Sequence, residues 1–201
     1  MKNTIWTIPN FLSLFRILII PVFIYFFLVD WSYGKTLALA LFLLASITDY
    51  FDGWIARKYN LITEIGVFLD QFADKLLVLS SLTLFIFIPK LKVFWWMVAI
   101  IVFRDVFIIY MRIVIKKTSG QSMKTSYWGK WKTAVQMFSV VVILLYLSLM
   151  NFLKPSALQF FIDGQMAFWL ILLCVVLTIL SLWRYIIDNK RVLSDYFRKK
   201  V

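Results

Sequence analysis

The sequence contains no histidine and only one cysteine, Cys174. Without histidine the chain lacks the commonest general base and the commonest transition-metal ligand. Any metal site must therefore be built mainly from oxygens, a donor set that favours hard cations such as magnesium or manganese. One cysteine excludes an intrachain disulfide, and its place in an apolar run reads as a small buried hydrophobe. Negative charge is also scarce: 10 acidic residues stand against 22 basic ones, for a net charge of +12. RNP, zinc-finger and helix-turn-helix signatures are missing and the basic residues flank apolar spans, so no nucleic-acid partner is expected. No cleavable signal peptide is expected either, because the first apolar run contains Arg16 and lacks a small-residue cleavage site.

What the chain has in excess is apolar sequence. Hydrophobic residues make up 63% of it and the mean hydropathy is +0.87, values of an integral membrane protein. Six apolar stretches of membrane-spanning length run over roughly 11–29, 36–58, 64–89, 92–115, 133–153 and 164–183. Turns are expected between them at 30–35, 59–63, 89–92, 116–126 and 151–163. The fold class is accordingly all-α: a bundle of six transmembrane helices forming a single membrane domain over residues 1–201. Residues 1–16 mix Pro9, Asn10 and Arg16 with Trp6, Phe11 and Leu12, as expected of a short interfacial amphipathic helix.

An even number of spans puts both termini on one side. That side collects 16 lysines and arginines, among them Arg57, Arg112, Lys130 and the tail Arg198, Lys199 and Lys200; the other has 4, Lys35, Lys90, Lys92 and Lys154. By the positive-inside rule both termini are expected in the cytoplasm, in a multi-pass protein of the cell membrane. The basic tail reads as a contact to anionic lipid headgroups. Trp95, Trp96, Trp128 and Trp131, near span ends, read as interface anchors.

Against this background, residues 49–74 stand out: D-Y-F-D-G-W-I-A-R-K-Y-N-L-I-T-E-I-G-V-F-L-D-Q-F-A-D. With Glu64 they hold five of the ten acidic residues. A carboxylate at membrane depth costs about 3 kcal/mol or more unless compensated. Only one arginine and one lysine precede Asp70 in the window, which points to bound cations as the missing positive charge. Asp49 and Asp52 are three apart, Asp70 and Asp74 four apart, so each pair shares a helix face. Asp52 precedes the turn near Asn60 by 8 residues and Asp70 follows it by 10, so the pairs come level with each other just inside the cytoplasmic boundary. Gly53 and Gly66 leave room for a close approach. Two divalent cations on such a box can clamp the oxygens of a transferring phosphoryl group, Arg57 can fork onto a phosphate, and a spare carboxylate can take a proton from a hydroxyl. The alternatives on spacing alone are acids paired internally with Lys75, Arg57 or Arg104, or an ion path in a cation transporter.

The pattern D-x2-D-G-x2-A-R-x8-G-x3-D-x3-D resembles that of the CDP-alcohol phosphatidyltransferases, with all eight fixed positions filled by Asp49, Asp52, Gly53, Ala56, Arg57, Gly66, Asp70 and Asp74. The resemblance implies transfer of a phosphatidyl group from a CDP-linked lipid to an alcohol, with release of CMP and help from two magnesium or manganese ions. It implies that Asp49, Asp52, Asp70 and Asp74 surround the metals, that Asp74 is also the base, and that Gly53, Ala56, Arg57 and Gly66 contact the CDP moiety. It further implies a homodimer paired through its helices.

Three other stretches look most like the branch of that family that uses glycerol 3-phosphate. They are I-P-N-F-L-S-L-F-R ending at Arg16, Arg104-Asp105 followed by Arg112 (that branch's R-E-x6-R with aspartate for glutamate), and Gly129-Lys130-Trp131-Lys132-Thr133 (its G-K-x-K-T). CDP-diacylglycerol and glycerol 3-phosphate are then the expected substrates, with Arg112 and Lys130 on the acceptor phosphate. Phosphatidylglycerol, serine or inositol phosphate are the alternative acceptors. Arg104 beside Asp105 reads as an internal ion pair.

Overall fold

The computed structural model describes residues 8–59, 64–119, 127–150 and 165–190, and among these it contains six α-helices and no strand. They are α1 (Ile8–Leu28), α2 (Gly34–Lys58), α3 (Glu64–Ile86), α4 (Trp95–Ser119), α5 (Tyr127–Leu149) and α6 (Met166–Asp188). The all-α expectation is met. Three of the helices are long and apolar enough to cross a membrane, over Phe11–Leu28, Tyr127–Leu149 and Met166–Asp188, and they mark the chain as a membrane protein.

The side chains explain why these segments stay helical in an apolar medium. Hydroxyls bond back to carbonyls of their own helix, Ser81 to Leu77, Ser139 to Val135 and Thr178 to Cys174, which hides their polarity. Pro21 sits inside α1, where it removes one backbone donor without ending the helix. Between α1 and α2 the chain turns tightly on Gly34: a Cβ there would lie 2.7 Å from the Phe26 carbonyl oxygen, so only glycine fits. Beside it, Lys35 Nζ donates to the Phe27 carbonyl oxygen at the end of α1 and lies 4.2 Å above the Phe27 ring. After α3, the expected turn at 89–92 is a short 3-10 segment, Pro89–Leu91, followed by Lys92 in the left-handed region with φ 51°.

Several helix boundaries differ from the sequence expectation. Residues 8–16 are the first turns of α1 and run on without a break into its apolar part, while residues 1–7 lie outside the described set. Helix α5 begins at Tyr127, six residues before the apolar run at 133, and so takes in all of Gly129-Lys130-Trp131-Lys132-Thr133. Charge does not stop a helix there: lysine is a good helix former, and Lys132 has a half-buried acidic partner. The turn expected at 116–126 is shortened from the other side, since α4 runs on to Ser119. Residues 120–126, 151–164, 191–201 and the turn at 60–63 lie outside the described set.

The helices pack in two compact units. The first takes the described residues up to Ile88 together with α5 from Val140. In it α1 packs against both α2 and α3. Phe23, Phe27, Phe42 and Phe85 are buried at the centre, with Phe23 6.2 Å from Phe42 and Phe27 6.1 Å from Phe85 between ring centroids. Buried Ala38 and Ala45 let α1 and α2 come close. Thr36 and Ser148 hydroxyls join α2 to the end of α5 at 2.7 Å.

The second unit takes residues from Pro89 to Ser139 and from Gln165 onward. Here α4 packs against α6. A stripe of α6, Ile171, Cys174, Val175, Thr178, Ser181 and Tyr185, is buried, whereas Trp169, Leu173, Val176, Ile179, Leu180 and Trp183 are exposed. An apolar outer face with small, partly polar residues inside is the pattern of a helix whose outer side meets lipid. Cys174 is buried, as expected, with its Sγ 3.4 Å from Ser139 Oγ. Trp95, Trp96, Trp128 and Trp131 are all exposed, in keeping with anchors at an interface.

Candidate active site

In the first unit, Asp49 lies on α2 and Asp70 and Asp74 on α3. The structure joins the two halves of the acidic pattern through a residue of a third helix. Nη1 of Arg16, on α1, is 2.5 Å from Asp49 Oδ1 and 3.3 Å from Asp70 Oδ1. Two carboxylates on one nitrogen can be no farther apart than those two contacts laid end to end, so Asp49 of α2 and Asp70 of α3 come level. Arg16 is not among the cations that spacing alone offers as partners for these acids, Lys75, Arg57 and Arg104. Arg16 itself has no exposed surface, while Asp49 and Asp70 keep 32% and 42% of their side-chain surface exposed. The guanidinium is thus enclosed while both aspartate side chains stay partly exposed.

Asp74 is half-buried, one turn after Asp70 on the same face of α3, with fully buried Ala73 between them. Gly66, one turn before Asp70, is half-buried on that face as well. Asp52, Gly53, Ala56 and Arg57 belong to the last two turns of α2, but their side chains lie outside the described set.

The second unit holds a separate charge cluster. Asp105 on α4 accepts from Arg104 Nη1 at 2.9 Å and, with both oxygens, from Lys132 Nζ at 2.8 Å. Arg104 therefore forms the internal ion pair expected of it, and Lys132, which spacing did not single out, completes it. Lys132 is 1% exposed, so its ammonium depends on Asp105 for stabilisation. The bond ties the R-D-x6-R segment to G-K-x-K-T. Arg104 Nη2 would lie 3.5 Å from a Cβ at Gly129, and Thr133 Oγ1 closes the same turn by donating to the Gly129 carbonyl at 3.0 Å.

Arg112 lies two turns beyond Asp105 on α4, about 10 Å along the helix. Its guanidinium stacks 5.8 Å from the ring of buried Tyr185 on α6, which holds it in place. Lys130 is exposed on the first turn of α5. Lys132→Met keeps the side chain's length but strips Asp105 of a buried cation; breaking such a pair costs about 3–5 kcal/mol. A lowered thermal midpoint of the purified protein is expected, with partial recovery in Asp105→Asn/Lys132→Met.

Comparison with known proteins agrees with this arrangement. The profile of the family described as CDP-alcohol phosphatidyltransferase matches residues 6–180. The chain belongs to the CDP-alcohol phosphatidyltransferase family. As a member it is a phosphatidyltransferase, and the family is generally dependent on divalent metal ions. The chain is 34% identical to the CDP-diacylglycerol–glycerol-3-phosphate 3-phosphatidyltransferase of Bacillus subtilis (strain 168), over 94% of this chain and 98% of that one. It is 30% identical to the protein of the same name from Haemophilus influenzae, over 94% and 97%. With that of Rickettsia typhi it shares 39%, over 72% of this chain and 78% of the other. The matched span of this CDP-alcohol phosphatidyltransferase takes in the acidic pattern, Arg16, Arg104, Asp105, Arg112 and the Gly129-Lys130-Trp131-Lys132-Thr133 run.

Proposed function

We propose that the protein transfers the phosphatidyl group of CDP-diacylglycerol to sn-glycerol 3-phosphate, giving phosphatidylglycerophosphate and CMP. The observation that supports this reading is the gathering of Asp49 and Asp70 onto one nitrogen of Arg16, which brings one carboxylate from each half of the acidic pattern together. The acceptor is read from the relatives, which are named for glycerol 3-phosphate.

In this reading the acceptor hydroxyl gives its proton to the Asp74 carboxylate and its oxygen attacks the β-phosphorus of CDP-diacylglycerol. The bond from that phosphorus to the bridging oxygen breaks, and CMP leaves with the electron pair. Oxygen-only donors gathered in one place, with surface left exposed, suit a hard divalent ion. Asp49, Asp52, Asp70 and Asp74 would hold two magnesium or manganese ions, which when bound neutralise charge on the transferring phosphoryl oxygens. Gly53, Ala56, Arg57 and Gly66 bind the CDP moiety. Arg112, fixed by Tyr185, and Lys130 bind the acceptor's phosphate.

All six helices span the cell membrane in this proposal, with both termini cytoplasmic and the aspartates near the cytoplasmic face, and residues 1–201 work as one membrane domain in a homodimer. The test is CMP release by purified protein from radiolabelled CDP-diacylglycerol with magnesium and a panel of acceptors. Glycerol 3-phosphate is expected to give rapid release. Release with phosphatidylglycerol, serine or inositol phosphate instead would reassign the acceptor, and none with any of them would favour a cation transporter.

A further inference from the structure

Among the described residues of the first unit Arg16 is the most deeply buried charge, and the transfer reaction as written gives it no part. An arginine with no exposed surface is stabilised only by its partners. Its helix is the one that packs against both α2 and α3. Among the described side chains, the same inner face of α1 is apolar further along, with Ile19, Ile20, Phe23 and Phe27 all buried, and turns polar at Ser13 and Arg16, level with the carboxylates. Nη1 reaches Asp49 and Asp70 at once, while both aspartate side chains stay partly exposed.

We propose that Arg16 is a resident counter-ion of the carboxylate cluster: it keeps the cluster assembled when no metal is bound and lowers its affinity for divalent cations. The inference rests on the metal reading given above. Without a cation, the carboxylates of α2 and α3 would repel one another across a gap of a few ångströms, and Arg16 removes that repulsion. When a divalent ion binds the same oxygens, Arg16 lies within a few ångströms of it as a like charge and weakens its hold. Arg16 is thus a positioning residue, and it makes the metal exchangeable where four carboxylates alone would trap it.

The test uses full-length protein in detergent, stripped with EDTA and free of substrates. Manganese binding is followed by electron paramagnetic resonance and thermal unfolding is measured with and without manganese. Arg16→Gln removes the charge and Arg16→Lys keeps it. Arg16→Gln is expected to bind manganese at least about tenfold more tightly than wild type, by loss of the like charge. Its unfolding midpoint without metal should fall well below wild type, and manganese should restore most of the loss. Arg16→Lys should keep manganese affinity within about threefold of wild type. A helix-packing role alone would leave manganese affinity unchanged or weaker in Arg16→Gln, and that result overturns the proposal. So would an Arg16→Lys variant that behaves like Arg16→Gln, or an Arg16→Gln protein that does not fold even when prepared with manganese. Wild-type protein that binds no manganese would instead defeat the metal reading on which the inference stands.

Discussion

Asp74→Asn is expected to lower kcat for CMP release by about three orders of magnitude, the middle of the range for loss of a general base. Asparagine has nearly the shape of aspartate, so the turn of α3 around buried Ala73 should be undisturbed. What it loses is the capacity to take the proton of the acceptor hydroxyl, together with one of the four negative charges proposed to hold the metals. Binding of CMP, measured by calorimetry in the presence of magnesium, should stay within a few-fold of wild type, because CDP contacts are assigned to Gly53, Ala56, Arg57 and Gly66. A variant with wild-type kcat would exclude Asp74 as the base. One that no longer binds CMP would move Asp74 from proton transfer to nucleotide binding.

Arg112→Ala is expected to raise the KM for glycerol 3-phosphate by about 10- to 100-fold, the worth of a charge-assisted, forked bond to phosphate. The KM for CDP-diacylglycerol should change less than about twofold. The size of the effect follows from the setting: Arg112 is half-buried and braced by the Tyr185 ring, so little side-chain entropy is lost when the phosphate binds. Lys130→Ala should act in the same direction but more weakly, because Lys130 is exposed and its charge is screened by water. An unchanged acceptor KM in Arg112→Ala would argue against an anionic acceptor at this residue.

The aspartates are legible in the sequence because a helix converts spacing into position: residues three or four apart share a face, and their distance from a turn sets their level. The oxygen-only donor set is legible from the missing histidine. Arg16 is legible only in part. Its place in the Ile8-Pro9-Asn10 segment marks it as part of a pattern, but its partners lie on two other helices, Asp70 being 54 residues away, and no local spacing encodes such a contact. Lys132 is hidden for the same reason, 27 residues from Asp105. The early start of α5 is masked by the hydropathy criterion itself, which reads lysines as the end of a span. Here they are compatible with a helix because one is exposed and the other neutralised. The acceptor is the least legible feature, since it depends on cations such as Arg112 whose ordinary reading is flanking charge.

The three-way bond at Asp105 also has a consequence for the order in which the chain can enter a bilayer. In the proposed six-span arrangement, helix α4 carries a cation and an anion side by side, Arg104 and Asp105, so it brings its own neutralising partner and can be accepted before any later helix exists. Helix α5 cannot do the same at its first turns, because Lys132 has its anion on α4. The ammonium of Lys132 is cheap to bury only once α4 is already in place to receive it. Synthesis from the N-terminus supplies the two helices in that order, so Asp105 is waiting when Lys132 emerges, and the nascent chain need never leave that lysine stranded in hydrocarbon.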